Sequence, residues 1–504
     1  MTQDAPTCEG PGSPDTHETL LVPGRTCWRT ARANRVALIV DAADYFRTLK
    51  AAMLKARHSV LLIGWDFDTR IELEPRSKQD GIPDTLGSFI SWLAEEKPDL
   101  RIAILKWDLG IVKTLGRGTT MLRLARWAWH ERIQFKLDGA HPAGAAHHHK
   151  IVVIDDALAF CGGIDMTADR WDTRDHLDDN PYRRRPFTGR HYGPWHDATT
   201  AVDGEAARAL GEHARLRWKL ASGEELPAPP EGSDPWPEEL RAAFTDVDVG
   251  IARTAPAYDG RGEIREIEAL YLEAIRSARR SVYLESQYFA SRVIAEAIAV
   301  RLREPDGPEF VLVNPETADG WLEEAAMGSA RARLLDAVAR ADRHGRFAIY
   351  TPVTESGQPI YVHAKIAIVD DRFLRVGSSN LNNRSMGYDN ECDLAIESKP
   401  GEVDVTQTIA AFRTELMAEH LGVDTSAVVD IYARTGSLIA TVNALRGEGR
   451  SLRPFTPPDF GDLETALADN ELLDPERAKS GWPARTGRKL IRRSGPLRGA
   501  ARRA

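Results

Sequence analysis

Two stretches of the chain repeat one plan, and a duplication restricts the possible folds more than any composition does. Residues 45–68, YFRTLKAAMLKARHSVLLIGWDFD, read as an amphipathic helix running into an apolar strand. Residues 267–289, IEALYLEAIRSARRSVYLESQYF, repeat that order, and ARHSV at 56–60 matches ARRSV at 278–282. A further strand follows in each half, LRIAILKW from Leu100 and EFVLVNP from Glu309. Then come AHHHKIVVIDDALAFCGGID and VHAKIAIVDDRFLRVGSSN. In these, His148, Lys150, Asp155 and Gly162 precede His363, Lys365, Asp370 and Gly377 by 215 residues each. Strands alternating with helices predict an α/β fold with largely covered sheets. Duplication predicts two such units about a pseudo-twofold axis, an isologous packing that brings the two motifs to one site.

Pro- and Gly-rich stretches divide the 504 residues. Residues 1–25 read as a flexible lead-in, 26–221 as the first unit, and 222–240 (SGEELPAPPEGSDPWPEEL) as a linker. Residues 241–453 read as the second unit, and 454–504 as an extension ending in a basic tail. The four cysteines (Cys8, Cys27, Cys161, Cys392) show no metal-ligand or redox spacing, which fits a reducing compartment. The polar, acidic N-terminus lacks the basic and apolar regions of a Sec signal, and no apolar run approaches roughly 18 residues. The expected location is therefore cytoplasmic or peripheral to a membrane.

Residues 485–504 carry eight basic side chains and no acidic one. Without them, 58 basic face 75 acidic side chains, a net −17. A body that acidic is a poor polyanion binder, so a nuclease is disfavoured and no nucleic acid is expected. The tail itself reads as a segment drawn to anionic lipid surfaces.

Within each motif the His and Lys open a strand and, two residues apart, project from one face. Two copies give two imidazoles and two ammonium groups around one site. That set suits phosphoryl transfer without a metal: one imidazole attacks phosphorus, the other protonates the leaving oxygen, and the lysines stabilise the equatorial oxygens. The motif Asp, five residues past the Lys, would fix the site by hydrogen bonding rather than touch substrate. Gly162, Gly377 and Ser378 would let backbone approach a phosphate, and Asp165 and Asn380 follow at equivalent places. WHDATTAV at 195–202 matches NECDLAIE at 390–397 in pattern, pairing Asp197 with Glu391. Each could accept an imidazole N–H and orient the ring. The His147–His149 run is a poor chelate, since neighbours on a strand face opposite ways, and no metal or other cofactor is expected. Trp171 and Trp195 are candidates for a substrate entrance, while Trp127 and Trp129 read as core.

These residues resemble the phospholipase D superfamily, and within it the phospholipases D, over most of residues 35–420. The carriers are the two HxKxxxxDx6G[GS] motifs, YLESQYF at 283–289, GGIDMTADRWDT at 162–173 and GPWHDATTAVDG at 193–204. The resemblance implies two α-β-α sandwich units and hydrolysis of glycerophospholipids such as phosphatidylcholine. The products would be phosphatidic acid and a headgroup alcohol, formed through a phosphohistidine. It marks His148, Lys150, Asp155, His363, Lys365 and Asp370 as catalytic, with His148 the nucleophile and His363 the acid. Asn380 would bind phosphate; Asp165 departs from the family's Asn. Residues 173–193, with Arg183, Arg184 and Arg185, are candidates for lipid-surface contact. One chain suffices for such a site. A cardiolipin synthase-type transferase is the alternative, disfavoured by Gln287-Tyr288-Phe289 and by the lack of membrane segments.

Overall fold

The computed structural model describes residues 19–76, 81–108, 123–124, 126–127, 129–317 and 329–456. Most of the lead-in and the whole basic tail lie outside them. The first half supplies β1 (Arg29–Val40), β2 (Ser59–Gly64), β3 (Arg101–Trp107), β4 (Ile133–Asp138), β5 (Ile151–Ile154), β6 (Leu158–Gly162), β7 (Trp195–His196) and β8 (Ala198–Asp203). The second supplies β9 (Phe244–Ala255), β10 (Ile264–Arg265), β11 (Ser281–Glu285), β12 (Glu309–Val313) and β13 (Phe347–Val353). After these come β14 (Tyr361–Val362), β15 (Ile366–Val369), β16 (Phe373–Gly377), β17 (Glu391–Glu397) and β18 (Ser451–Pro454).

The duplication is visible in the strand order. Outward from β1 the sheet runs β8-β6-β5-β2-β3-β4, and outward from β9 it runs β17-β16-β15-β11-β12-β13, equivalent strand by strand. β1 and β9 pair antiparallel, from Arg29 opposite Ile251 to Val36 opposite Phe244. The pseudo-twofold therefore passes between them, and the two units share one sixteen-stranded sheet.

Both faces of that sheet are covered. In β5, Ile151 and Val153 enter a core common to both halves, while Val152 and Ile154 enter one belonging to the first half. In β15, Ile366 and Ile368 join the common core, and Ala367 and Val369 join a core of the second half. Each such Val or Ile contributes about 1.5–3 kcal/mol by burial, which is why these strands read as unbroken apolar runs. The common core is closed by the helices Gly204–Ser222 and Val403–Leu421. Helix Ala42–Lys55 covers the opposite face in the first half, burying Tyr45, Phe46, Leu49, Ala52 and Met53 at helical spacing. Helix Glu266–Ser277 does the same in the second. No helix among the described residues is long and apolar enough to cross a membrane.

Two sequence expectations are corrected. Trp127 is buried, but Trp129 is 91 % exposed and is not core. Arg183 is buried rather than lipid-facing, bonded to Asp172 and to the carbonyls of Leu177 and Asp178; Arg184 and Arg185 are exposed. Part of the expected linker is anchored, with Trp236 buried in the core of the first half.

Candidate active site

The two motifs meet through short cross-half contacts. His147 bridges to Asn390, and β14 pairs with β7, so each motif strand leads in alongside the other half. The His148 N–H donates to the Asn390 carbonyl at 2.9 Å, and the His363 N–H to the His196 carbonyl at 2.7 Å. Asn390 and His196 immediately precede Glu391 and Asp197. Each histidine is thereby set beside the carboxylate of the opposite half. His148 Nδ1 lies 2.9 Å from Glu391 Oε2 and 3.0 Å from Oε1, and His363 Nδ1 lies 2.7 Å from Asp197 Oδ2. A carboxylate partner at Nδ1 favours the tautomer with its proton there and a lone pair on Nε2.

Glu391 is held by two hydroxyls, Ser378 Oγ at 2.5 Å and Ser385 Oγ at 2.7 Å. Burial raises its carboxyl to about 7, against the pull of those hydrogen bonds and of Lys150 and Lys365. Burial also raises Asp197. Burial, followed by the Lys150 and Lys365 cations, holds His148 well below the usual histidine range. His363 is lowered likewise, by burial, then Lys365, Arg170 and Lys150. Each imidazole thus feels the ammonium of both motifs. Lys365 donates to the His363 carbonyl and is brought down to about 7 by burial. Lys150 donates to the His148 carbonyl at 3.0 Å and pairs with Asp165 Oδ2 at 3.0 Å.

The remaining predicted residues have other tasks. Asp155 sits past the end of β5, at φ 52°, and accepts the N–H groups of Arg57, His58 and Ser59 at 2.7–2.8 Å. Asp370, at φ 53°, does the same for Arg279, Arg280 and Ser281 at 2.7–2.9 Å. Both tie a hairpin to the start of β2 or β11, at the opposite end of the motif strand from the His and Lys. Neither belongs among reacting groups. Asp165 is not a phosphate ligand: an anion already paired with Lys150 and bonded to the Trp65 and Asp66 N–H groups would repel one. Gly162 and Gly377 do not open backbone to a phosphate either. A Cβ on Gly162 would lie 2.4 Å from Thr199 Cα, and one on Gly377 2.0 Å from Asp393 Oδ1, so both serve strand packing. Ser378 is committed to Glu391. The Asn380 N–H bonds Ser385 Oγ, while its buried Oδ1 has no hydrogen-bond partner.

Sequence reasoning missed several neighbours. Trp65 stands edge-on to His148 at 6.2 Å between ring centroids and stacks on Trp107 at 5.8 Å. Trp195 packs on His363 at 5.3 Å and on Tyr361 at 4.5 Å, with the Arg170 guanidinium 4.1 Å from its ring. Trp195 is a candidate from the sequence; the others carry no spacing signal.

A family model described as "Cardiolipin synthase, PLD-like domain" matches residues 271–415. Phospholipase D A of Dictyostelium discoideum is 25 % identical over 468 residues, covering 77 % of this chain and 35 % of its own length. Phospholipase D alpha 1 of Carica papaya is 24 % identical over 512 residues, covering 74 % of this chain and 63 % of its own. The chain thus spans between about a third and just under two thirds of the length of these curated relatives. Among solved structures, phosphatidylserine synthase of Haemophilus influenzae Rd KW20 superposes with a TM-score of 0.54 at 12 % identity. The match covers 82 % of this chain and 96 % of that one, a likeness of fold. With that family model on its second half and phospholipases D aligned over some three quarters of its length, the chain belongs to the phospholipase D superfamily.

Proposed function

We propose that the protein is a phospholipase D, cleaving the distal phosphodiester bond of a glycerophospholipid to phosphatidic acid and a headgroup alcohol. The observation that carries this reading is the crossed pair His148–Glu391 and His363–Asp197, with Lys150 and Lys365 donating beside the two rings. Two neutral, oriented imidazoles and two cations supply a nucleophile, an acid and charge stabilisation. His148 Nε2 attacks phosphorus to form a phosphohistidine. His363, protonated once the anionic diester has entered and raised its basicity, gives its proton to the departing oxygen. It then takes a proton from the water that releases phosphatidic acid. Lys150 and Lys365 hold the non-bridging oxygens.

A nitrophenyl phosphodiester tests the assignment, because its leaving group needs little protonation. His363→Ala should keep first-step release and accumulate label from a radiolabelled phosphoryl group, and His148→Ala should show neither. The reverse labelling would exchange the roles, and absence of label from wild type would argue for direct attack by water.

The second reading is a phosphatidyltransferase with the same first step and an alcohol acceptor, favoured by the description of the matching family model. Product analysis on phospholipids with and without glycerol separates the two. Phosphatidic acid alone in both supports hydrolysis, and phosphatidylglycerol dominating with glycerol supports transfer.

A further inference from the structure

Behind the Asp197–His363 pair lies a second, enclosed group of titratable side chains from both halves: Asp41, His176 and His196 from the first, Glu419 from the second. Their side chains are 0–4 % exposed. His176 Nε2 is 3.5 Å from Asp41 Oδ2 and 3.3 Å from Glu419 Oε1. His196 Nδ1 is 3.6 Å from Asp41 Oδ1 and 3.2 Å from Glu419 Oε1. These separations exceed the about 2.7–2.9 Å of a charge-assisted hydrogen bond. One donor atom from each of the four lies within 4.8 Å of the others, and the shorter separations are close to the edge, about 3.3 Å, of a tetrahedron whose N and O ligands stand roughly 2.0–2.1 Å from a central zinc ion.

The outer nitrogen of each imidazole is already committed to a carboxylate. His176 Nδ1 is 3.0 Å from Asp172 Oδ2, and His196 Nε2 is 2.8 Å from Glu285 Oε2. With the protons there, both inner nitrogens present lone pairs to the centre, the carboxylate–histidine–metal pattern. Independently of this, His196 Nδ1 and Asp41 Oδ2 are buried with no hydrogen-bond partner. The other half handles the equivalent place differently. Asn390 stands before Glu391 as His196 stands before Asp197, and the Arg217 guanidinium bonds Asn390 Oδ1 at 3.2 Å while gripping Asp138. That half carries its cation covalently. Around Glu419, Arg174 takes the outer oxygen Oε2 at 2.5 Å, and Arg450 stands 4.0 Å from Oε1.

We infer that Asp41, His176, His196 and Glu419 bind one divalent transition-metal ion of the zinc class, as a structural brace that takes no part in the reaction. Two imidazoles and two carboxylates suit such an ion, whereas calcium prefers six to eight oxygens. The brace would hold the His363 side from behind. Asp41 Oδ1 accepts the Asp197 N–H at 3.0 Å, and the His196 carbonyl accepts the His363 N–H at 2.7 Å. The four ligands are therefore positioning residues.

The test is metal analysis of the full chain, produced in zinc- or cobalt-supplemented medium and dialysed against a chelating resin. Mass spectrometry should find about one equivalent of zinc per chain, and the cobalt form should show the intense visible bands of a tetrahedral site. His176→Gln and Glu419→Gln should each lower occupancy roughly tenfold or more. If a variant does not fold, the wild-type metal content and cobalt spectrum decide alone. Folded wild type holding less than about a tenth of an equivalent from either medium would overturn the inference and leave protons joining these pairs.

Discussion

Glu391 Oε2 lies 2.9 Å from His148 Nδ1, although the two residues belong to opposite halves. Asp197 and His363 make the reciprocal contact at 2.7 Å. Neither half orients its own histidine, so the β1–β9 joint that unites the sheet is also what completes the site. The Cβ space at Gly163, 2.2 Å from Asp197 Oδ1 and 3.3 Å from Lys365 Cδ, shows how closely the halves interlock there.

Replacing Glu391 by Gln keeps the volume and both serine contacts but removes the charge that fixes the His148 tautomer. By analogy with catalytic triads that lose their carboxylate, turnover should fall about 10²–10⁴-fold with the fold intact. Steady-state kinetics beside circular dichroism would check it. Wild-type turnover in the variant would remove Glu391 from the machinery.

Asp370 should behave as a structural residue. Asp370→Ala strands three backbone donors and places alanine at φ 53°, so a loss of about 3 kcal/mol or more is expected. Asp370→Asn, which tolerates that φ, should lose less. Urea denaturation gives the ranking. Activity per folded molecule should stay within a fewfold of wild type at low temperature. A stable but inactive Asn variant would return Asp370 to the chemistry.

The duplication, the α/β class and the two HxK pairs were legible because they follow from offset and strand period, which are one-dimensional. The partnership of Asp197 and Glu391 with particular histidines was not. It depends on the parallel cross-half contacts at Asn390 and His196, which have no sequence period. The glycines misled for a related reason. Gly162 and Gly377 do permit close approach, but of Thr199 and Asp393 on a neighbouring strand, and a motif does not say what approaches. Asp165 stands where the resemblance leads one to expect a phosphate-binding amide, yet it pairs with Lys150, and a carboxylate in place of an amide reverses the effect on an anion. His176, His196 and Glu419 drew no attention because Glu419 follows His176 by 243 residues and His196 by 223, and only the folded sheet joins them.

Gly163→Ala should act through its neighbours. The added Cβ displaces Asp197 from His363, which weakens proton delivery to the leaving oxygen. A choline-type headgroup, a poor leaving group, should lose at least about tenfold in kcat, whereas a nitrophenyl diester should lose much less. Equal losses on both substrates would indicate general distortion instead of a defect in the acid.

Lys365 supplies the clearest pH signature. Burial lowers it to about 7, with Lys150 and Arg170 adding to the fall and Asp197 and Glu391 opposing it. A lysine in the unfolded chain titrates near ~10.4. Between about 7 and ~10.4 the unfolded chain therefore holds a proton that the folded chain lacks, and this group makes stability rise with pH across that window. Below about 7 the cost of enclosing an ammonium is fully present. Lys365→Met removes that cost, so the variant's stability relative to wild type should be more favourable at pH 6.5 than at pH 9.5, by about a few kcal/mol. Urea titrations of both proteins at the two pH values give the difference directly. Inorganic phosphate adds a second arm, because an anion beside Lys365 favours its charged form. Phosphate should stabilise wild type more at pH 6.5 than at pH 9.5 and should shrink the gap between the two proteins at the lower pH. Equal differences at the two pH values would show that Lys365 keeps an ordinary lysine's proton in the folded chain, and a variant relatively more stable at the higher pH would show that the fold strengthens that proton; either outcome would overturn the lowered Lys365.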